Sequence, residues 1–300
     1  MTMFRRESPS SGDASPRVIG FYEQETGSVQ YVAVDEQTKE CVLIDVVQDF
    51  DPKSAKTSHD SAQEILDYVA EHGWKVVRIL DTHPHADHMM AAAWLKEQTG
   101  APIGIGEKVC EIAQLWADIY NLPDTFDPAR DFDHLFADGE EFALGTLTVR
   151  VMLSPGHTLG SVTYVIGDAA FVHDTFMHVD SGTTRADFPG GSTEVLWDSL
   201  QELLRLPDET RLFIGHDYPP VDDREDPAWE ASVAEHRAHN KHIGGDVSKA
   251  DYIKLRDERD ATLPLPDRML HALQVNLRGG RLPEAEADGH SYFKIPANKM

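Results

Sequence analysis

The sequence predicts an α/β (α+β) fold, a sandwich with two sheets inside and helices on both outer faces. Two observations carry the prediction. Strand-like runs followed by helix-like runs occupy the first half of the chain and then the second, the order that a layered domain requires. Several short His- and Asp-bearing segments also stand just past strand-like runs, where α/β folds place their chemistry. With 300 residues and 41% hydrophobic content, the chain can bury a substantial core. We read residues 17–300 as one domain with a helical C-terminal extension. Residues 1–16 (MTMFRRESPSSGDASP) read as a disordered N-terminus.

From Val18 to Val46, apolar and polar residues alternate through Phe21-Tyr22, Val29 to Val34 and Cys41 to Val46, which predicts short antiparallel strands. Gln48 to Asp60, with Pro52 and several Ser, Asp and Lys residues, reads as a loop. Ala62, Ile65, Leu66 and Val69 recur at helical spacing, with Gly73 as the stop. Val76 to Leu80 reads as a buried strand, Met89 to Gln98 as a helix, Pro102 to Gly104 as a short strand and Lys108 to Tyr120 as a helix. The second half places strands at Glu141 to Leu147, Thr148 to Leu153, Val162 to Ile166 and Ala169 to Val172. A helix follows at Val195 to Leu206 and a strand at Arg211 to Ile214. The remainder reads as mostly helical until Leu263-Pro264-Leu265-Pro266, where two prolines interrupt any helix, with Arg268 to Gln274 beyond as a candidate short helix.

The formal net charge of −25 repels nucleic acid and anionic membranes over most of the surface, so neither is expected as a partner. The two cysteines, Cys41 in an apolar run and Cys110 on a helix, form no disulfide framework and no zinc-knuckle spacing. Cys41 reads as a small core residue. No signal core and no stretch of about 18 apolar residues is present, so a cytoplasmic location is the expectation.

The chemistry concentrates in His83-Pro84-His85-Ala86-Asp87-His88, which puts three imidazoles and a carboxylate into one turn at the end of a strand. That donor set suits a borderline metal such as zinc or iron and argues against magnesium or calcium. His157, Asp174 and His216 each follow another strand and would converge on this loop if the strand ends face one way. His236, His239 and His242 recur every third residue but lack strand-end placement, and read as a solvated helix face. His173 and His178 are candidates to line the pocket, not ligands.

From about Val18 to about Asn240 the chain resembles the metallo-β-lactamase superfamily, whose signature is an HxHxDH loop followed by separate His, Asp and His ligands. The resemblance implies an αββα fold. It assigns one metal site to His83, His85 and His157, a second to Asp87, His88 and His216, and a bridging role to Asp174. Thr184-Arg185-Ala186-Asp187-Phe188-Pro189-Gly190-Gly191 is similar to the RxDFxGG segment of persulfide dioxygenases, the branch that contains the ethylmalonic encephalopathy protein. Glu235, Arg237 and Asn240 resemble that branch's ExRxxN pattern. Asp49 to Asp60 and the ending near Leu277 to Pro283 look like a bacterial β-lactamase-like hydrolase subgroup associated with sulfide detoxification. Two positions depart from the pattern: His173 stands where Gly is common, and Thr183-Thr184 replaces a Gly/Cys-rich turn.

The same ligands support two chemistries. The dioxygenase resemblance implies a single Fe(II) per chain on His83, His157 and Asp174, oxidising glutathione persulfide or a similar small persulfide with O2 to sulfite and thiol. Two Zn(II) ions would instead make a hydrolase of glyoxalase II type. A non-enzymatic binding module on the same fold is the third reading. Arg185 and Asp187 are expected beside the ligands, and Tyr218 is placed to donate a hydrogen bond to substrate or to wall the pocket. Dimers and tetramers are common in the family, so a homo-oligomer is an open expectation.

Overall fold

The computed structural model describes residues 3–222 and 224–300; Met1 and Thr2, part of the segment expected to be disordered, lie outside the described residues. In chain order, the first half contains β1 (Phe4–Ser8), β2 (Arg17–Glu23), β3 (Ser28–Asp35), β4 (Glu40–Ile44), β5 (Val47–Asp51) and β6 (Lys56–Ser58). There follow α1 (Asp60–Glu71), β7 (Lys75–Leu80), β8 (Met89–Met90), α2 (Ala92–Thr99), β9 (Ile103–Gly106), α3 (Val109–Tyr120), α4 (Pro128–Asp131) and β10 (His134–Phe136). The second half contains β11 (Glu141–Leu144), β12 (Leu147–Leu153), β13 (Val162–Ile166), β14 (Ala169–His173), α5 (Thr193–Leu203), β15 (Arg211–Ile214) and β16 (Glu230–Ser232). It closes with α6 (Val233–His239), α7 (Lys249–Asp260) and α8 (Met269–Asn276).

Each half builds one main sheet. The first has the order β1-β2-β3-β4-β7-β9-β10 and the second β11-β12-β13-β14-β15-β16. Side chains alternate across a strand, and both faces of the central strands are covered. Tyr31 and Ala33 of β3 and Val42 and Ile44 of β4 therefore join the core shared with the second sheet. Val32, Val34, Cys41 and Leu43 face the opposite way and pack with Ile65 of α1, Leu95 of α2 and Trp116 of α3. Leu196, Leu200 and Leu203 of α5 join the core of the second sheet. The result is the expected arrangement of sheets flanked by helices, with Cys41 buried as expected. No helix among the described residues is long and apolar enough to cross a membrane.

Three expectations are corrected. Residues 4–8, expected to be disordered, form β1, which pairs along its length with β2. Ser11 and Ser15 then donate to the Asp168 carboxylate (both 2.7 Å), which also accepts from Arg211. Four of the five β1 side chains are exposed, so backbone pairing holds the strand and leaves no apolar pattern to read. The loop expected over Gln48 to Asp60 is largely the β5–β6 hairpin. Its polar residues close the turn, with the Asp51 carboxylate accepting from Lys53 N and Ser54 Oγ, while Phe50 is buried beside Met89 and Val275. The helix expected from Met89 starts only at Ala92, because Met89 and Met90 pair with β5.

Candidate metal centre

The ligand-type residues follow the carboxyl ends of strands from both sheets. Asp45 follows β4, His83 to His88 follow β7, His157 follows β12, Asp174 follows β14 and His216 follows β15. The parallel pairings β4·β7 and β14·β15 point these ends the same way within each sheet. Ligand atoms of His83, His85 and Asp174 lie within 4.8 Å of one another; so do those of His85, Asp87 and His88, and those of Asp87, Asp174 and His216. Asp174 Oδ2 stands 3.7 Å from His83 Nε2 and 3.6 Å from His157 Nε2. All seven expected ligands therefore come together, with Asp174 shared between the groups.

Hydrogen bonds fix which nitrogen of His83, His85, His88 and His157 is free, whereas both nitrogens of His216 are engaged by Asp174 and Asp87. His157 Nδ1 donates to the Arg185 carbonyl at 2.8 Å, and a carbonyl can only accept, so Nε2 is bare toward Asp174. His88 Nδ1 likewise donates to the Met89 carbonyl (3.2 Å). Asp45, which the sequence reading missed, sets two rings at once. Its carboxylate accepts from His85 Nε2 (3.1 Å), Thr82 N (2.8 Å) and Thr82 Oγ1 (2.9 Å). With its one proton committed to Asp45, Thr82 Oγ1 accepts from His83 Nδ1 (3.1 Å). His85 Nδ1 and His83 Nε2 are left bare, buried and without hydrogen-bond partners. Buried bare imidazole nitrogens beside shared carboxylates are the donor set of a transition-metal site, so these residues fit zinc or iron.

The electrostatics agree for His83, Asp87 and Asp174, while His216 is set toward its protonated form by the carboxylates on either side of it. Burial, reinforced by His85 and His157 nearby, pushes His83 well below the ordinary imidazole range, so it stays neutral. Burial works against charge on Asp87 and Asp174, yet His216 holds both carboxyls below their usual range. His216 lies between them, with Nδ1 2.6 Å from Asp174 Oδ1 and Nε2 2.5 Å from Asp87 Oδ2. Despite its burial, those two carboxylates raise it well above the ordinary imidazole range. Asp81, beneath the loop, is raised well above the carboxylate range by burial and by the charge of Asp45.

A second residue that the reading missed is Asn276 at the end of α8. Its Nδ2 donates to the carbonyls of His85 (2.7 Å) and His88 (2.9 Å), and its Oδ1 accepts from Met90 N (2.8 Å), which pins the HxHxDH loop. Asp45 shared the strand-end signal of the ligands. Asn276 carried no local signal.

A cavity of about 500 Å³ opens on the expected ligands Asp87, His157, Asp174 and His216, and is also lined by Arg185, Phe188, Tyr218, His242 and Arg259. The Arg185 guanidinium grips Asp187 through two bonds (2.7 and 2.8 Å), lies over the Phe188 ring and donates to the Pro264 carbonyl. Phe188 in turn packs edge-on against His157. Tyr218 is exposed and stacks beside His216. Arg224 spends all five of its N–H groups on Asp217, Asp180 and the Asp226 carbonyl, tying together the two loops that leave Asp174 and His216.

The positions that depart from the family pattern have local explanations. His173 adopts φ 41°, the left-handed region that favours glycine, and its Nε2 is held between Ser154 and Thr175 hydroxyls. It lies buried beside His83 and is not among the clustered ligands. Thr184 Oγ1 donates to the Asp174 carbonyl, and Thr183 Oγ1 bonds Tyr252, so hydroxyls anchor the turn. His178 pairs with Asp180.

The solvated helix face is corrected. His236 is buried against Phe176 and His242 is half-buried in the cavity wall, while His239 is exposed as expected. Glu235 and Ser232 form the reciprocal cap of α6, Arg237 bonds Asp208 and the Leu204 carbonyl, and Asn240 holds the Gly182 carbonyl. These three residues of the ExRxxN pattern are scaffold for the cavity wall.

The profile of the metallo-β-lactamase superfamily matches residues 25–216. The chain belongs to this superfamily. A β-lactamase hydrolase-like protein of Xylella fastidiosa is 54% identical over 286 residues, 95% of this chain, and the chain spans 66% of that relative's length. Glyoxylase B2 of Dictyostelium discoideum is 42% identical over 93% of this chain and 96% of its own length. Among solved structures, the crystal structure of ETHE1 from Myxococcus xanthus is similar with a TM-score of 0.69 and 28% identity, covering 93% of this chain and 100% of that one.

Proposed function

We propose that this metallo-β-lactamase-superfamily protein is an iron-dependent persulfide dioxygenase, acting on glutathione persulfide or a similar small persulfide. The observation that carries the reading is the seat of the RxDFxGG segment. Arg185 accepts from His157 through its carbonyl and Phe188 packs on the same ring, so the segment that marks the dioxygenase resemblance touches a ligand of the trio His83, His157 and Asp174. The likeness to ETHE1 across the whole of that chain supports it. Ferrous iron on that trio would supply the redox chemistry and the open positions at which sulfur and O2 meet. The protein's own contribution is to hold three donors in one protonation state and to bring the persulfide to them in a walled cavity. In the overall reaction, glutathione persulfide, O2 and water become glutathione and sulfite.

A dinuclear zinc thioesterase is the second reading, favoured by the convergence of Asp87, His88 and His216 and by the likeness to glyoxylase B2. The discriminating experiment is oxygen uptake by anaerobically purified, ferrous-loaded protein on addition of glutathione persulfide, with sulfite measured in the same vessel and a zinc-loaded control. The dioxygenase reading expects uptake matched by sulfite, abolished by His157→Ala or Asp174→Ala and better tolerated in His88→Ala. No uptake from protein shown to hold iron would instead favour the thioesterase.

A further inference from the structure

We propose that His242, flanked by Lys241 and Arg259, is a carboxylate-recognition element that binds the end of the substrate remote from its sulfur. This rests on the reading that a small thiol-derived substrate occupies the cavity of the metal centre. His242 lies just past α6 and lines that cavity together with the ligands Asp87 and Asp174. Its ring is fixed in place and in tautomer. Thr183 N donates to Nδ1 at 2.9 Å, and a backbone N–H can only donate, so Nδ1 is bare and the ring proton sits on Nε2. Residue 182 must be glycine for the ring to lie there, since a Cβ would come within 2.3 Å of Nδ1. Burial, with Arg256, Lys241 and Arg259 around it, lowers the His242 pKa to about 4. The ring is therefore a neutral N–H donor at physiological pH.

The charges around it point to an anion. Four cations line the cavity, but the Arg185 guanidinium is taken up by Asp187 and that of Arg256 by Asp260. Among the described residues Lys241 reaches only Asp222, at 3.9 Å and with both groups largely exposed. Arg259, in the last turn of α7, makes no side-chain hydrogen bond or ion pair among the described residues. The two acids that line the cavity among the described residues, Asp87 and Asp174, belong to the candidate metal centre. A wall with uncommitted cations and a fixed N–H donor, in a chain of net charge −25, matches a carboxylate, which takes one oxygen from each kind of donor.

The test is binding of an unreactive probe, S-methylglutathione, and of its diethyl ester, measured by calorimetry on the metal-loaded full chain. The free acid is expected to bind wild type about tenfold more tightly than the diester, the scale of one or two charge-assisted hydrogen bonds. Arg259→Gln and His242→Asn should remove that preference by weakening the acid alone. Asn keeps an acceptor for Thr183 N but loses the distal donor. His242→Gln, which presents an amide N–H near the Nε2 position, should restore most of it, a rescue that a purely structural role would not give. Equal binding of acid and ester, no measurable binding of the acid, or equal weakening of both by Arg259→Gln would each overturn the proposal. The titration consumes neither O2 nor thioester, so its result stands apart from the choice of reaction.

Discussion

Asp45 shows how one buried carboxylate can govern a metal centre without being assigned to it as a ligand. Through Thr82 it fixes the proton of His83, and directly it fixes that of His85, which leaves the inner nitrogen of each ring bare. Asp45→Asn keeps the shape but replaces one acceptor oxygen with a donor, so either Thr82 or His85 loses its partner. We expect metal affinity to fall about 10- to 100-fold, the usual cost of losing a group that orients a ligand. A competition titration with a chromogenic chelator reads this, and unchanged affinity in a folded variant would refute it. The seven candidate ligands were legible because each follows a strand-like run and four share one motif. Asp45 follows such a run too, but with no histidine beside it its role was invisible. Asn276 was beyond reach because its bonds to the loop span 188 and 191 residues, a distance no local pattern encodes.

At the scale of elements, α6 shows where periodicity fails. It has only seven residues, and two of them, Val233 and His236, form its buried side, too few to separate an inner from an outer face. Likewise, β1 was hidden by its exposed side chains and the β5–β6 hairpin by turn-forming residues, whereas the longer α1 and α3 stood out with four and six buried positions. Burial of His236 has a consequence for acid stability. Burial, with the nearby charge of His178, lowers its pKa to about 4, while the unfolded chain keeps the ordinary value of 6.5. Above about pH 6.5 neither state binds this proton and the group does not affect stability. As pH falls from there toward 4 the unfolded state binds it first, so stability declines, by up to about 3 kcal/mol once both states are protonated. Urea unfolding between pH 7 and 4 should show His236→Gln losing less stability than wild type over that window. Parallel curves would mean that His236 does not titrate this way.

Across the whole molecule, the candidate metal centre is also the seam between the two halves. His83, His85, Asp87 and His88 come from the half that builds the first sheet, and His157, Asp174 and His216 from the half that builds the second. A cation held by both sets must be released when the halves part, so its binding energy adds to the stability of the whole fold. At a thousandfold excess over its dissociation constant, a bound ion stabilises the native state by about 4 kcal/mol. For a chain of this size that corresponds to a loss of roughly 10 °C in Tm on chelation. Hydrogen exchange locates the effect. If the ion clamps the seam, chelation should lower protection at the carboxyl ends of β7, β12, β14 and β15 together. Asp174→Ala, which removes the residue shared between ligand groups, should make the protein's Tm insensitive to chelator. Protection lost only over residues 83–88 would mean that the ion is held by the first half alone, and the two sheets would then owe their union to the shared apolar core, where Tyr31 of the first packs against Phe171 and Phe213 of the second.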